Sequence, residues 1–300
     1  MAGYNQMPED ILQDRTRTAL AQLEACEICP RRCGANRSSG EVGFCRSGRK
    51  ASVACFAPHF GEEAPLVGVS GSGTIFFSGC NLSCVFCQNY EISQDDRGTE
   101  VGAQALAAMM LDLQERGCHN INFVTPTHVV PQILEALVLA REAGLALPLV
   151  YNSGGYDSVE TLRLLDGIFD IYMPDAKYGS DGPALLYSSS PGYTAVMKAA
   201  IREMHRQVGD LVIDKDGIAR RGLLVRHLVL PEDAAGSAEI IRFLSEEIST
   251  QTYLNIMDQY RPEYHACRFP ELCRPINRQE YARALQMAAK AGLIRGLAML

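Results

Sequence analysis

Three cysteines, Cys80, Cys84 and Cys87, stand at C-x3-C-x2-C in the stretch Gly79-Cys80-Asn81-Leu82-Ser83-Cys84-Val85-Phe86-Cys87-Gln88-Asn89. Three thiolates on one short loop can grip a metal centre from one side. Closed structural sites take four protein ligands, whereas a centre that does chemistry keeps a coordination position open. The spacing alone also suits zinc with a fourth ligand from elsewhere, or buried thiols. A second group lies upstream, Cys26-x2-Cys29-Pro30-x2-Cys33, with Cys45 after eleven further residues. Gly34, Gly40 and Gly43 let the intervening backbone turn tightly. Three readings of this group stay open: structural zinc, an additional iron–sulfur cluster, or no bound centre.

The elements that must position these thiols follow from periodicity. The run Thr74-Ile75-Phe76-Phe77, directly before the three-cysteine loop, has the make-up of a buried strand. Upstream, residues 7–25 read as an amphipathic helix, with Pro8 in its first turn and Glu9 and Asp10 at its N-terminus. Residues 51–70 carry Pro58, Gly61, Pro65 and Gly68 and are expected to be irregular or short β structure. From Thr74 onward strand and helix alternate. Helices are expected at 103–116, 129–143, 158–165, 194–208, 235–248 and 278–291, and strands at 120–124, 147–151, 170–173, 222–230 and 252–257. This pattern predicts an α/β fold with a parallel sheet and right-handed crossovers. Periodicity does not separate an open doubly wound sheet from a barrel.

In either architecture the site collects at the carboxyl ends of the strands, and polar residues recur there. They are Thr125-Pro126-Thr127-His128, Tyr151-Asn152-Ser153-Gly154-Gly155, Asp175-Ala176-Lys177, and Asn255 through Arg261. Asp175 and Lys177 share a side of an extended strand. In the fifth strand, alternation lets only one of Arg226 and His227 face the interior. The expectation is that His227 lines the cavity and that Arg226 is structural. His128 is read as a helix-start residue, His59 as a non-ligand, Cys55 as a buried thiol, and Cys267 and Cys273 as free thiols or, alternatively, ligands.

The motif C-x3-C-x2-C after a first strand, with an aromatic residue (Phe86) before its last cysteine, resembles the radical S-adenosylmethionine superfamily. The wording from Gly71-Ser72-Gly73-Thr74 through Gln88-Asn89-Tyr90-Glu91 is similar to its pyruvate formate-lyase-activating-enzyme-like branch. The resemblance implies a partial (β/α)6 barrel over residues 71–300, after an N-terminal helix and four-cysteine module over 1–70. It implies a [4Fe-4S] cluster on Cys80, Cys84 and Cys87, with S-adenosyl-L-methionine on the open iron. Reductive cleavage of that cofactor to a 5′-deoxyadenosyl radical then abstracts hydrogen. Cofactor contacts are expected from Thr125, Thr127, Asn152, Asp175, Lys177 and His227. The chain departs from the family's Gly-Gly-Glu-Pro-like motif at Thr125-Pro126-Thr127-His128, which leaves the amino group of S-adenosylmethionine without its usual partner. Implied partners are an electron donor such as flavodoxin or ferredoxin and a glycyl radical enzyme. Two other readings are a radical enzyme acting on another peptide or a small metabolite, and a non-catalytic iron–sulfur protein that relays electrons or binds partners.

Composition sets the bounds. The 300 residues, 47% of them hydrophobic, suffice for a large core without disulfides. A net charge of −7 argues against a nucleic-acid surface. No apolar run approaches the roughly 20 residues of a membrane span, and the N-terminus lacks a secretory pattern, so a cytoplasmic enzyme is expected. Of eleven cysteines, seven show ligand-like spacing, which points to an oxygen-poor setting.

Overall fold

The strand-like runs and the helices between them assemble in chain order. The computed structural model describes residues 2–95 and 97–297. Its elements are α1 (Glu9–Ala21), β1 (Ala51–His59), α2 (Ala64–Val67), β2 (Ser72–Phe77), α3 (Tyr90–Ser93), β3 (Thr99–Val101), α4 (Ala103–Glu115), β4 (Ile121–Val124), α5 (Val130–Glu142), β5 (Leu149–Ser153), α6 (Val159–Leu164), β6 (Ile171–Pro174), α7 (Asp181–Ser188), α8 (Tyr193–Val208), β7 (Val212–Ile213), β8 (Ala219–Leu228), α9 (Ser237–Phe243), β9 (Tyr253–Met257) and α10 (Arg278–Lys290). Local chemistry sets several boundaries. Pro131 occupies the first turn of α5, where a missing N–H costs nothing. Asn277 and Glu280 form a capping box that starts α10.

Among the described residues, β2, β4, β5, β6, β8 and β9 follow one another as parallel neighbours. No pairing joins β9 back to β2, so the ring stays open on that side. This is the expected partial (β/α)6 barrel. Strand alternation divides its side chains. Val150, Ile171, Met173 and Leu224 turn inward and meet Leu66 of α2, which plugs the floor. Phe123, Tyr151, Tyr172 and Val225 turn outward into the larger core under the helices. No helix among the described residues is long and apolar enough to cross a membrane.

Several differences from expectation bear on the site and its surroundings. Residues 51–59 form a nine-residue strand antiparallel to β2, because pairing with β2 and β3 overrides the breaking effect of Pro58. Helix α7 was not anticipated, since Gly182 and Pro183 weaken its pattern, yet both fall in the first turn, where they are tolerated. Cys55 is exposed rather than buried, beside a register shift that lies between Val53 and Cys55. Cys267 and Cys273 are neither free nor ligands: they are joined by a disulfide, because two successive 3-10 turns fold the chain back on itself.

Candidate active site

The three-cysteine loop leaves β2 through Gly79. This residue has φ +78°, and a Cβ there would strike the carbonyl of Cys45, so only glycine fits. Neighbouring backbone then fixes the loop. Ser83 N–H donates to Ser188 O at 3.0 Å and Val85 N–H to Tyr187 O at 2.8 Å, while His265 N–H donates to Val85 O at 2.7 Å. Phe86 is buried edge-on against Tyr178 and Tyr260. Each sulfur has a hydrogen-bond partner. Leu82 N–H donates to Cys80 Sγ at 3.3 Å, Ser188 Oγ to Cys84 Sγ at 2.9 Å, and Ser93 Oγ lies 3.2 Å from Cys87 Sγ. Burial pushes the Cys80 and Cys84 thiols up, against the pull of the Lys177 ammonium; metal ligation supplies the charge that makes thiolates there. Donors already aimed at the sulfurs suit thiolate ligands, whose hydrogen bonds set a cluster's potential.

Below the loop, the barrel interior holds a charged network. Asp175 accepts from Lys177 Nζ at 2.6 Å and from Arg226 Nε at 2.8 Å. Arg226 also donates to Asn152 Oδ1 at 2.6 Å and lies 3.6 Å from Glu62 and 3.9 Å from Glu63. Asn152 Nδ2 reaches Glu62 at 3.5 Å, and Asn255 Nδ2 donates to Glu63 at 3.1 Å. Burial pushes the Glu62 carboxyl up to about 7, against the pull of Arg226. Burial works on Asp175 in the same direction, but Arg226 and Lys177 outweigh it and hold that carboxyl below its ordinary value. Two groups are left without partners: both amide atoms of Asn122 and Oε2 of Glu63. Buried polar atoms without partners are costly, and these belong to a barrel interior that carries a cation, carboxylates and amides together. That donor set fits a charged, polar cofactor such as S-adenosylmethionine, with its carboxylate, ammonium, sulfonium and ribose.

The expected site residues divide. Asn152, Asp175 and Lys177 come together in this network. Thr125 takes a positive φ of 61° and donates its N–H to Asn152 O at 2.9 Å. Thr127 turns into the wall, where its hydroxyl and those of Tyr151 and Ser153 all donate to buried Asp157, at 2.7, 2.9 and 2.7 Å. His227 is a correction. It faces the helix layer, with Nδ1 2.8 Å from Ala176 O and Nε2 2.9 Å from Ser237 Oγ. Its neighbour Arg226 faces the interior, in phase with inward-pointing Leu224. Sequence reasoning had this alternation and chose the wrong partner. It missed Glu62 and Glu63 altogether, because they arrive from the β1–β2 connection rather than a strand end. Among the described residues no three His, Cys, Asp or Glu side chains are set to hold a single ion.

The Radical SAM superfamily profile matches residues 74–214. An uncharacterized protein of Methanocaldococcus jannaschii, MJ0674, is 33% identical over 95% of this chain and 80% of its own length. A second from the same organism, MJ0808, is 25% identical over 87% of this chain and 77% of its own length. Among solved structures, HydG, a maturase of the [FeFe]-hydrogenase, superposes with a TM-score of 0.52 at 11% identity, over 73% of this chain and 49% of that one. A radical SAM methyltransferase from Sphaerobacter thermophilus gives 0.49 at 15% identity, over 73% of this chain and 64% of that one.

Proposed function

Since the chain belongs to the radical SAM superfamily, whose members bind a [4Fe-4S] cluster and S-adenosylmethionine, we propose that it abstracts hydrogen from a substrate held in its barrel. Cys80, Cys84 and Cys87 would hold the cluster, which supplies the one electron that cleaves S-adenosylmethionine to methionine and a 5′-deoxyadenosyl radical. The rest of the work falls to the protein. Lys177 Nζ presents an ammonium for the methionine carboxylate, and Asp175 holds that ammonium in place. Asn152 and Asp175 offer acceptors for ribose hydroxyls. The packing of Phe86, Tyr178 and Tyr260 excludes water from one side of the loop. The observation that carries this reading is the closeness of the three-cysteine loop to the Asp175–Lys177 pair, both of whose charges act on the Cys84 sulfur.

For the substrate, the activase-like wording around the cysteines and the Asp175-x-Lys177 pair support a glycine in a loop of a glycyl radical enzyme. Such a loop would enter between β9 and β2, and a flavodoxin- or ferredoxin-type donor would supply the electron. A small polar metabolite is the second reading. It is favoured by Glu62, Glu63 and Asn122, which equip the barrel floor with more polar groups than a glycine backbone needs. The deciding experiment is anaerobic reconstitution with iron, sulfide, a strong reductant and S-adenosylmethionine, followed by quantification of 5′-deoxyadenosine. Native protein should form it and the Cys84→Ala variant should not. Absence of product from a fully loaded cluster would leave electron relay as the function.

A further inference from the structure

Outside this machinery, the N-terminal cysteines gather at one place. Cys26, Cys29, Cys33 and Cys45 line a single small cavity together with Arg37 and His128. Three of these thiols are buried and Cys33 is exposed. Tight backbone bonds hold the module: Cys26 N–H donates to Ala35 O at 3.1 Å, and Gly34 N–H to Cys26 O at 3.0 Å. Four thiols on a turn-rich segment can be fortuitous. The two polar side chains facing them make that reading untenable.

Arg37 is fully buried. Its Nε donates to Gly48 O at 3.1 Å and its Nη1 to His128 O at 2.8 Å, with Cys26 Sγ 3.8 Å from Nη1. Its Nη2 has no partner, and neither does His128 Nδ1. No carboxylate pairs with Arg37 among the described residues. A buried guanidinium without a counter-charge is expensive. The groups that can supply the charge are the cysteine sulfurs, which are thiolates when they bind a metal. The guanidinium N–H groups of Arg37, one of them 3.8 Å from Cys26 Sγ, then have thiolate acceptors, the usual outer-shell arrangement of a thiolate centre.

The structure assigns a second, thiophilic metal centre to Cys26, Cys29, Cys33 and Cys45, built against the back of the three-cysteine loop. Arg31, two residues past Cys29, donates from Nε to Asn81 O at 2.6 Å and from Nη2 to Ser189 O at 2.7 Å. His128 Nε2 lies 2.9 Å from Ser78 O, and the Cys45 carbonyl abuts Gly79. Both sides of the Cys80 turn are therefore braced by the module. The grouping of three near cysteines and one distant is closer to iron–sulfur ligation than to the paired C-x2-C arms of zinc sites. Iron with sulfide is the expected occupant, and zinc on the same thiols would be the same site with another metal.

The assignment does not rest on the proposed reaction, and its test leaves that reaction out. The protein carrying Cys80→Ala, Cys84→Ala and Cys87→Ala together is prepared anaerobically with iron, sulfide and zinc supplied. Its iron, zinc and acid-labile sulfide are then counted. About four irons and four sulfides per chain, or about one zinc, are expected. Adding Cys33→Ser, a change at an exposed position that spares the fold, should lower that content at least fivefold; adding Cys55→Ser should not. Metal below a tenth of one equivalent in the triple variant, or content unmoved by Cys33→Ser, overturns the assignment.

Discussion

Arg226 is the keystone of the barrel interior, and replacing it with Gln tests that arrangement directly. Lys177 still neutralises Asp175 in the variant, but Glu62 and Glu63 lose the cation they share. Breaking a buried charge network by removing one partner costs about 3–5 kcal/mol, and Arg226→Gln should fall in that range near pH 8. The pH dependence gives the sharper check. Glu62 has its folded pKa raised, from 4.5 to about 7. Its protonation therefore stabilises the fold fully below the ordinary carboxyl value, and that contribution is lost as pH rises through about 7. Without Arg226 the Glu62 carboxyl is pushed higher still, so the variant goes on losing stability at a pH where the native protein has stopped. The gap between the two should widen from pH 6 to pH 8. Urea midpoints followed by far-UV circular dichroism, on samples of matched metal content, measure it. The double variant Arg226→Gln/Glu62→Gln should recover part of the loss at pH 8. A gap that narrows with pH, or a cost under about 1 kcal/mol at pH 8, refutes the network.

His227→Gln should cost about 1–3 kcal/mol through its two buried hydrogen bonds, yet leave S-adenosylmethionine affinity within twofold by equilibrium dialysis; a large loss of affinity would return His227 to the cavity. Gly155→Ala should destabilise by roughly 1–3 kcal/mol, because φ is +75° and the new Cβ would meet the Asp175 carbonyl. Thermal unfolding within a degree of the native protein would contradict that. Ser188→Ala removes the hydroxyl that donates to Cys84 Sγ. Loss of about 1 kcal/mol of preference for the more negative state should lower the one-electron potential of the bound cluster by about 40 mV, read by spectroelectrochemistry. An unchanged or higher potential would show that this hydrogen bond is not made to the ligated sulfur.

Much of this molecule follows from local chemistry that a chain carries in its sequence. The strand before the cysteines, the helices α4, α5, α8 and α10, and the six-fold alternation are periodicity effects, and they emerge within a residue or two of expectation. So do the two cysteine groups and the polar strand ends at Asn152, Asp175 and Lys177, because residue type and spacing express them directly. What tertiary structure decided is everything that depends on which face meets which. Arg226 and His227 are adjacent, and the register of β8 against β6 and β9 alone chose the inward one. Glu62 and Glu63 became interior groups only because α2 plugs the floor of the barrel. Thr127 was drawn into the wall by Asp157, thirty positions away. The N-terminal module, far from the three-cysteine loop in sequence, was placed against it by Arg31, His128 and the close approach at Gly79. Spacing along a chain records which ligands exist; only packing determines which of them share a site.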